Sequence, residues 1–257
     1  MPFANPVVAR LAKGDLCKDE FSGLLLVLNW PASEHVQGKC LSAFSAAKLP
    51  ASAYLYPPTS LHCTVATLRA FTAGPLISRE SEAQLWGSIL DAAASMAAWP
   101  TGPITLKMLA PTFEGAVGIL RYEEVAPGGA IEAARRCLGE AISAAGGQAA
   151  VGGGDRTHCR PPTGSPIGSP APHLPDIIHS TVLRWASEPT EPEVEMARES
   201  FEAVAGAWEP LEFRVDAIDI KAVFEDTPFM HIPHSAAQVF WNRNGAAAAA
   251  APVREEK

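Results

Sequence analysis

Cysteine is scarce in this sequence, and no two cysteines stand at metal-binding spacing. The 257 residues contain five cysteines, an odd number, and none of them forms a C-x-x-C pair. Neither a disulfide framework nor a cysteine-rich zinc site is therefore expected, and a reducing compartment is the default. We expect a cytoplasmic protein. The first 20 residues contain acidic as well as basic side chains, so organelle targeting is only weakly supported as an alternative.

A surplus of positive charge and a long apolar run are also missing. The chain has 20 Lys and Arg against 28 Asp and Glu, a net charge of −8. This balance argues against a long nucleic-acid groove, which needs surplus cations, but it allows a small site for one phosphate. The apolar run at 23–30 is too short to span a bilayer, and no secretory signal pattern is visible, so no membrane partner is expected.

Several common catalytic motifs are absent as well. The sequence contains no G-x-S-x-G, no H-E-x-x-H and no G-x-x-x-x-G-K-[ST] pattern. His231 and His234 have a spacing that can suit a metal, but no carboxylate or cysteine stands at motif distance, so we expect a loop there. The same holds for His158, Cys159 and His173, which lie in a Gly/Pro-rich segment. No metal and no cofactor are therefore predicted.

Hydrophobic periodicity predicts a mixture of helices and strands. Strands are predicted over 21–30, 104–113, 116–125, 211–224 and 236–243. Helices are predicted after Ser33 as N-cap, after the capping boxes Ser81-x-x-Gln84 and Thr190-x-x-Glu193, and over 131–145. Because the elements do not follow a strict βαβ alternation, the fold class is α+β.

The domain organisation is suggested by one segment of unusual composition. Residues 146–176 contain seven Gly and six Pro and almost no large apolar side chains. Such a segment buries too little surface to offset its ordering entropy, so we interpret it as a flexible connector between two halves. The prediction is a single bilobed domain over 1–244, followed by a disordered Ala-rich tail at 245–257.

A four-residue sequence motif occurs twice and is the main indication of function. "HCTV" at 62–65 and "HSTV" at 179–182 both lie in strand-like surroundings, 117 positions apart. Residues i and i+2 of a strand share a face, so His62 lies beside Thr64, and His179 beside Thr181. If the two strands are neighbours, two imidazoles and two hydroxyls converge on one pocket. The middle residues, Cys63 and Ser180, should point away from it.

This set of side chains suits a phosphodiester. One neutral imidazole can accept a proton from the attacking oxygen, and the second, protonated, can donate one to the leaving oxygen. The hydroxyls of the two threonines can hold the phosphoryl oxygens. Arg69 and Arg184 stand at odd offsets from the histidines and should face away, into salt bridges. Phe113 and Trp185 could stack on a base, although aromatic residues near strands more often belong to the core.

The pair of His-x-Thr-apolar motifs resembles the signature of the two-histidine (2H) phosphoesterase superfamily, with His62, Thr64, His179 and Thr181 at the matching positions. The resemblance implies two pseudo-symmetric lobes, each with a mainly antiparallel sheet and one motif, around a central cleft. It also implies metal-independent cleavage of cyclic or RNA-terminal phosphodiesters, with the histidines as catalysts and the threonines as phosphate ligands.

The predicted function is therefore hydrolysis of a nucleoside 2′,3′-cyclic phosphate, or of an RNA end that bears one, by a monomer. The expected partner is a small nucleotide or an RNA terminus. Two alternatives remain: a nucleotide-binding module with the same pocket and no turnover, and an RNA 3′-end exonuclease that requires an oligonucleotide.

Overall fold

The computed structural model describes residues 4–15, 21–73, 77–125, 129–146, 150–151, 172–225 and 238–243. Its helices in these ranges are α1 (Pro6–Leu11), α2 (Glu34–Phe44), α3 (Arg79–Ala94), α4 (Ala130–Ala144) and α5 (Glu191–Gly206). Within the described ranges, no helix has the length and apolar character needed to cross a membrane.

In the described ranges, twelve strands form two sheets. The strands are β1 (Phe21–Leu28), β2 (Ala53–Leu55), β3 (Cys63–Ala73), β4 (Pro103–Met108), β5 (Thr112–Phe113), β6 (Val117–Glu124), β7 (Ala150–Val151), β8 (His173–Leu174), β9 (Ile178–Trp185), β10 (Leu211–Asp216), β11 (Lys221–Glu225) and β12 (Val239–Asn242). The first sheet has the order β12-β11-β1-β3-β8-β7, and the second has the order β10-β4-β6-β9-β2, with β5 paired to β6. Every strand pair except β7–β8 is antiparallel, so the predicted α+β class with two antiparallel lobes is confirmed.

Helices pack against both sheets. On the first sheet, Trp241 of β12 donates its Nε1–H to Asp91 of α3 at 2.7 Å, and α4 lies beside α3. On the second sheet, the Phe201 ring of α5 packs against Phe44 of α2 and Phe113 of β5, with centroids 5.2 and 5.5 Å apart. One continuous cluster of buried apolar residues joins the helix-covered faces of both sheets.

The predicted division into an N-terminal and a C-terminal half is wrong. β2 comes early in the chain but pairs with β9 in the second sheet, whereas β11 and β12 come late and extend the first sheet from β1. The chain therefore crosses between the sheets several times. Local periodicity could not show this, because the partner of a strand depends on long-range burial and not on neighbouring residues.

The predicted flexible connector contains short strands near its two ends. Residues 150–151 and 173–174 form β7 and β8, which pair with each other, and β8 also pairs with β3. Leu174 is buried in the main core. Residues 152–171, with His158 and Cys159, lie outside the described residues, as do His231, His234 and the tail at 245–257. The predictions for these segments stay predictions.

Most of the predicted helix starts are observed. The Ser33 hydroxyl accepts the Val36 N–H at the start of α2, and Thr190 forms a reciprocal capping box with Glu193 at the start of α5. The capping box at Ser81 is wrong, because α3 begins earlier, with Ser78 as its N-cap. The reason is local: the Ser78 hydroxyl accepts the backbone N–H of Ser81 at 3.2 Å, which places Ser81 in the first turn.

Gly118 of β6 leaves no space for a side chain, which gives a stability prediction. A Cβ atom there would collide with the Phe201 ring, 2.7 Å from its Cε1, and would lie 3.0 Å from Leu183 Cβ. We expect Gly118→Ala to lower the free energy of unfolding by about 1–3 kcal/mol, the usual cost of overpacking a core. Urea unfolding followed by circular dichroism measures the change.

Gly38 provides the matched control for this substitution. It lies on the exposed side of α2, and a Cβ there would meet no atom within 4 Å. Gly38→Ala should therefore stabilise the chain by up to about 1 kcal/mol through helix propensity. Equal effects of the two substitutions would show that the Phe201 ring does not need the space over Gly118.

Candidate active site

The two motifs open two strands of different sheets. His62 directly precedes β3 in the first sheet, and His179 is the second residue of β9 in the second sheet. In both motifs the histidine and the threonine are partly exposed, while the residues after them are buried. The alternation predicted for His62 with Thr64 and for His179 with Thr181 is thus observed.

A β-bulge follows each motif at the same place. On β3, Leu26 faces Ala66 and Val27 faces Thr64, so Val65 is an extra residue in the ladder. On β9, Gly118 faces Leu183 and Ile119 faces Thr181, so Val182 is the extra residue. A bulge of this kind bends the strand and leaves the extra residue unpaired. The repeated phrase therefore specifies a repeated backbone irregularity as well as repeated side chains.

The second bulge changes the direction of Arg184. Simple alternation places a residue five positions after His179 on the opposite face, and it predicts an outward Arg184 for that reason. Because Val182 is an added residue, the alternation reverses after it, and Arg184 shares the face of His179 and Thr181. The prediction of an outward Arg184 is therefore wrong. The prediction for Arg69 is confirmed, because Arg69 is buried in an ion pair with Glu82.

The middle residues of the motifs connect the two strands behind the histidines. Ser180 donates its hydroxyl hydrogen to the backbone carbonyl of His62 at 2.5 Å, and the Tyr122 hydroxyl lies 2.9 Å from Ser180 Oγ. Cys63 is fully buried, and burial raises the pKa of its thiol to about 12. As predicted, Cys63 and Ser180 are turned away from the cleft. Cys63 stays a protonated thiol and is no nucleophile.

The His62 ring is held by its own backbone. Nδ1 lies 2.9 Å from the carbonyl oxygen of Ser60. Because a carbonyl only accepts, Nδ1 carries the hydrogen and Nε2 is the atom left for acid–base chemistry. His179 has the Ile177 carbonyl at the equivalent place, two residues before it. Its Nδ1 is buried and makes no hydrogen bond of normal geometry within the described part of the chain.

Both imidazoles have a lowered pKa. Burial is the main cause for His62, and the hydrogen bond to Ser60 opposes it. For His179, burial and then the positive charges of His62, Arg184 and Arg135 lower the pKa from 6.5 to about 4. These charges act on His179 because His62 and both arginines lie near it. Burial thus disfavours the protonated form of both rings in the free protein.

The aromatic residues chosen from the sequence belong to the core. Trp185 is fully buried and donates its Nε1–H to the carbonyl of Gly115 at 2.7 Å. Phe113 packs edge-on against Trp185, with centroids 6.0 Å apart, and also against Phe201. The prediction that Trp185 stacks on a base is therefore wrong, because the alternation along β9 that directs His179 to one face directs Trp185 to the other. Phe113 is partly exposed, but it pairs with Gly118 on the same face as Trp185, and its contacts do not support the predicted stacking.

An aromatic residue that the sequence reading missed lies on the cleft face. Tyr54 of β2 stands opposite Arg184, and residues opposite each other in antiparallel strands share a face. The Tyr54 ring is partly exposed and meets Tyr56 edge-on, with centroids 5.2 Å apart. The alternating pattern Tyr54-x-Tyr56 before Pro57 indicates a short strand with both tyrosines on one face, and it could have identified Tyr54 from the sequence.

Metal ligands are not grouped in the described part of the chain. No three or more His, Cys, Asp or Glu side chains lie close enough there to hold an ion. His173 lies in β8, opposite Thr67 of β3, and is partly exposed.

The comparisons with known proteins give structural similarity only. No family model and no curated protein sequence matches the chain. Similar solved structures include LigT of E. coli complexed with 3′-AMP (15% identity, 80% of this chain and 87% of that chain, TM-score 0.42). They also include TT0787 of Thermus thermophilus (14%, 79% and 86%, TM-score 0.43) and a protein described as a phosphoesterase (13%, 79% and 86%, TM-score 0.42).

Proposed function

We propose that this chain is a metal-independent phosphodiesterase that hydrolyses nucleoside 2′,3′-cyclic phosphates or RNA ends bearing them. The observation that carries the proposal is that His62 and His179, one from each sheet, lie close enough for His62 and Arg184 to lower the pKa of His179. Two neighbouring histidines beside a fixed cation are suited to a reaction that moves two protons at an anionic centre.

Each imidazole takes one of the two proton transfers. A neutral ring accepts a proton from water as the water oxygen forms a bond to phosphorus. The other ring, protonated, donates its proton to the ribose oxygen as the bond between phosphorus and that oxygen breaks. The products are a nucleoside monophosphate and a histidine pair with its proton exchanged between the two rings. Bulk water then restores the starting state.

Charge in the transition state is balanced by groups on the same face. Arg184 lies two residues after the second motif, and its planar, permanently charged guanidinium is suited to phosphoryl oxygens. The hydroxyls of Thr64 and Thr181 lie on the histidine face and are proposed to donate hydrogen bonds to the same oxygens. An anionic phosphate also raises the pKa of a nearby histidine, which supplies the protonated partner that the free protein disfavours.

Tyr54 is proposed as the residue that contacts the base. It replaces Trp185 in this role because its ring is partly exposed, and it replaces Phe113 because it stands opposite Arg184, on the face of the histidines, whereas Phe113 packs against Phe201 of α5. Stacking on an aromatic ring tolerates any base, which agrees with a site that recognises the cyclic phosphate first.

The test is a substrate scan in EDTA. The full chain is given the four nucleoside 2′,3′-cyclic phosphates and short RNAs with a cyclic phosphate end, and the products are resolved chromatographically. Turnover of cyclic mononucleotides that survives EDTA is the expected result. Activity that EDTA removes and a divalent ion restores would contradict the two-histidine mechanism.

Two other results would support the alternatives. Binding of the mononucleotides without any turnover would support a nucleotide-binding module. Release of nucleotides only from an oligonucleotide 3′ end would support an exonuclease.

A further inference from the structure

Arg135 is a buried arginine whose hydrogen bonds to the backbone all leave its own helix. It lies on α4, with 3% of the residue exposed. Its Nε donates to the Val65 carbonyl at 3.0 Å, and its Nη2 donates to the carbonyls of Thr64 at 3.2 Å and Ile177 at 3.0 Å. The carboxylate of Glu132, one turn earlier on α4, lies 3.8 Å from its Nη1.

The carbonyls that Arg135 bonds belong to the first histidine motif and to the segment that directly precedes the second one. Thr64 and Val65 form the bulge after His62, where the ladder is interrupted and carbonyls need another donor. Ile177 stands two residues before His179 and directly before β9. One guanidinium thus connects the first motif, on the first sheet, with the second motif, on the second sheet.

We propose that Arg135 is a positioning residue that fixes the two histidine motifs relative to each other by bonding the backbone of both. The inference rests on the proposed function and extends it to a residue that touches no substrate. A lysine could not replace it fully, because an ammonium group lacks the planar fork that reaches several fixed carbonyls at once.

Arg135 also contributes to the charge around His179. The other groups that face His179 are His62, Arg184 and Arg121, which stands opposite it on β6. Asp176, Glu132 and Glu124 act on Arg135 itself and partly offset its charge. Removal of the Arg135 charge should therefore raise the pKa of His179, since one positive neighbour disappears. This titration reports the charge of Arg135 beside His179, and the loss of kcat in Arg135→Lys, which keeps that charge, reports the positioning.

The experiment uses Arg135→Gln and Arg135→Lys in the full chain, with Arg69→Lys as the matched control. Arg69 is likewise a buried arginine and belongs to β3 itself, but its guanidinium binds Glu82 and Ser22, away from the motifs. Three properties are measured: the melting temperature, the titration of the histidine ring protons by NMR without substrate, and kcat and KM on the best cyclic nucleotide.

In Arg135→Gln, we expect the pKa of His179 to rise and kcat to fall about tenfold or more, with a smaller change in KM. Arg135→Lys keeps the positive charge but lacks the planar guanidinium group that bonds several carbonyls. We therefore expect kcat to fall while the pKa of His179 stays near that of the unmodified chain. Arg69→Lys should lower the melting temperature and leave both the titration and kcat unchanged.

The proposal fails if a folded Arg135→Gln chain titrates at His179 like the unmodified chain and loses no more kcat than Arg69→Lys does. If Arg135→Gln does not fold, the positioning role is tested with Arg135→Lys instead. A kcat for Arg135→Lys equal to that of Arg69→Lys then contradicts positioning. If the unmodified chain turns over no substrate, the proposed function fails, and the NMR titration still decides whether Arg135 acts on His179.

Discussion

Replacement of either His62 or His179 by alanine is expected to remove most of the turnover, by roughly 10²–10⁴-fold, because each variant loses a general acid or base. The double variant should lose much less than the product of the two single losses, since residues that act as a unit are not additive. Initial rates on a 2′,3′-cyclic nucleotide in EDTA measure all three variants.

His35→Ala is the control for these substitutions. His35 lies exposed on α2, outside both motifs, and its loss should change neither the rate nor the fold. The threonine variants Thr64→Ala and Thr181→Ala should be milder, because each removes one hydrogen bond to a charged oxygen, worth about 1.5–3 kcal/mol. A folded His62→Ala or His179→Ala chain with near-normal turnover would exclude the paired mechanism.

The pH profile follows from the lowered pKa values. The sequence alone predicts a bell for kcat/KM around the ordinary histidine pKa of ~6.5. In the structure, the protonated form of both rings is disfavoured, so the proton needed by the acid is lost as pH rises through a pKa below that value. We therefore expect the bell-shaped pH profile of kcat/KM, which reports the free enzyme, to lie on the acid side of ~6.5.

The pH profile of kcat, which reports the enzyme–substrate complex, should lie at higher pH, because bound phosphate favours the imidazolium. The two apparent pKa values belong to the pair rather than to single residues.

The largest expected loss of stability comes from Glu82→Ala. Glu82 and Arg69 form an ion pair with contacts of 2.6 and 3.0 Å, and both side chains are almost fully buried. Removal of one partner leaves the other charge buried without compensation, which typically lowers the free energy of unfolding by about 3–5 kcal/mol. Chemical denaturation measures this loss.

The exposed pair Arg198–Glu195 on α5 is the control, since Glu195→Ala should change stability by less than about 1 kcal/mol. The double variant Arg69→Met with Glu82→Met should recover much of the stability, because well-packed apolar residues often replace a buried ion pair at little cost. A Glu82→Ala chain as stable as the Glu195→Ala chain would show that the buried pair contributes nothing.

The sequence predicted correctly those features that depend on interactions between neighbouring residues. The apolar run at 21–30 became β1, and the Thr190 box became the start of α5, because a buried strand and a helix N-terminus each depend on a few neighbouring residues. The faces of His62 and His179 followed from strand alternation for the same reason.

What the sequence did not reveal depends on contacts between distant segments. A bulge at Val182 is invisible in a sequence that keeps its apolar pattern, so the predicted direction of Arg184 is wrong. Arg135 looks like an ordinary helix residue in the sequence, because its partners are carbonyls of strands that are far away in the chain. Nothing in its neighbourhood marks those contacts.

The exchange of strands between the sheets has a consequence for the order of synthesis. β1 is strongly apolar, and its outer edge is covered only when β11 pairs with it, almost 200 residues later. Until the ribosome has released β11, the nascent chain exposes an unpaired edge of the kind that recruits other strands. Long-range pairing also slows folding. A chain that stops before β11 would still carry both histidine motifs, and we expect it to accumulate in inclusion bodies.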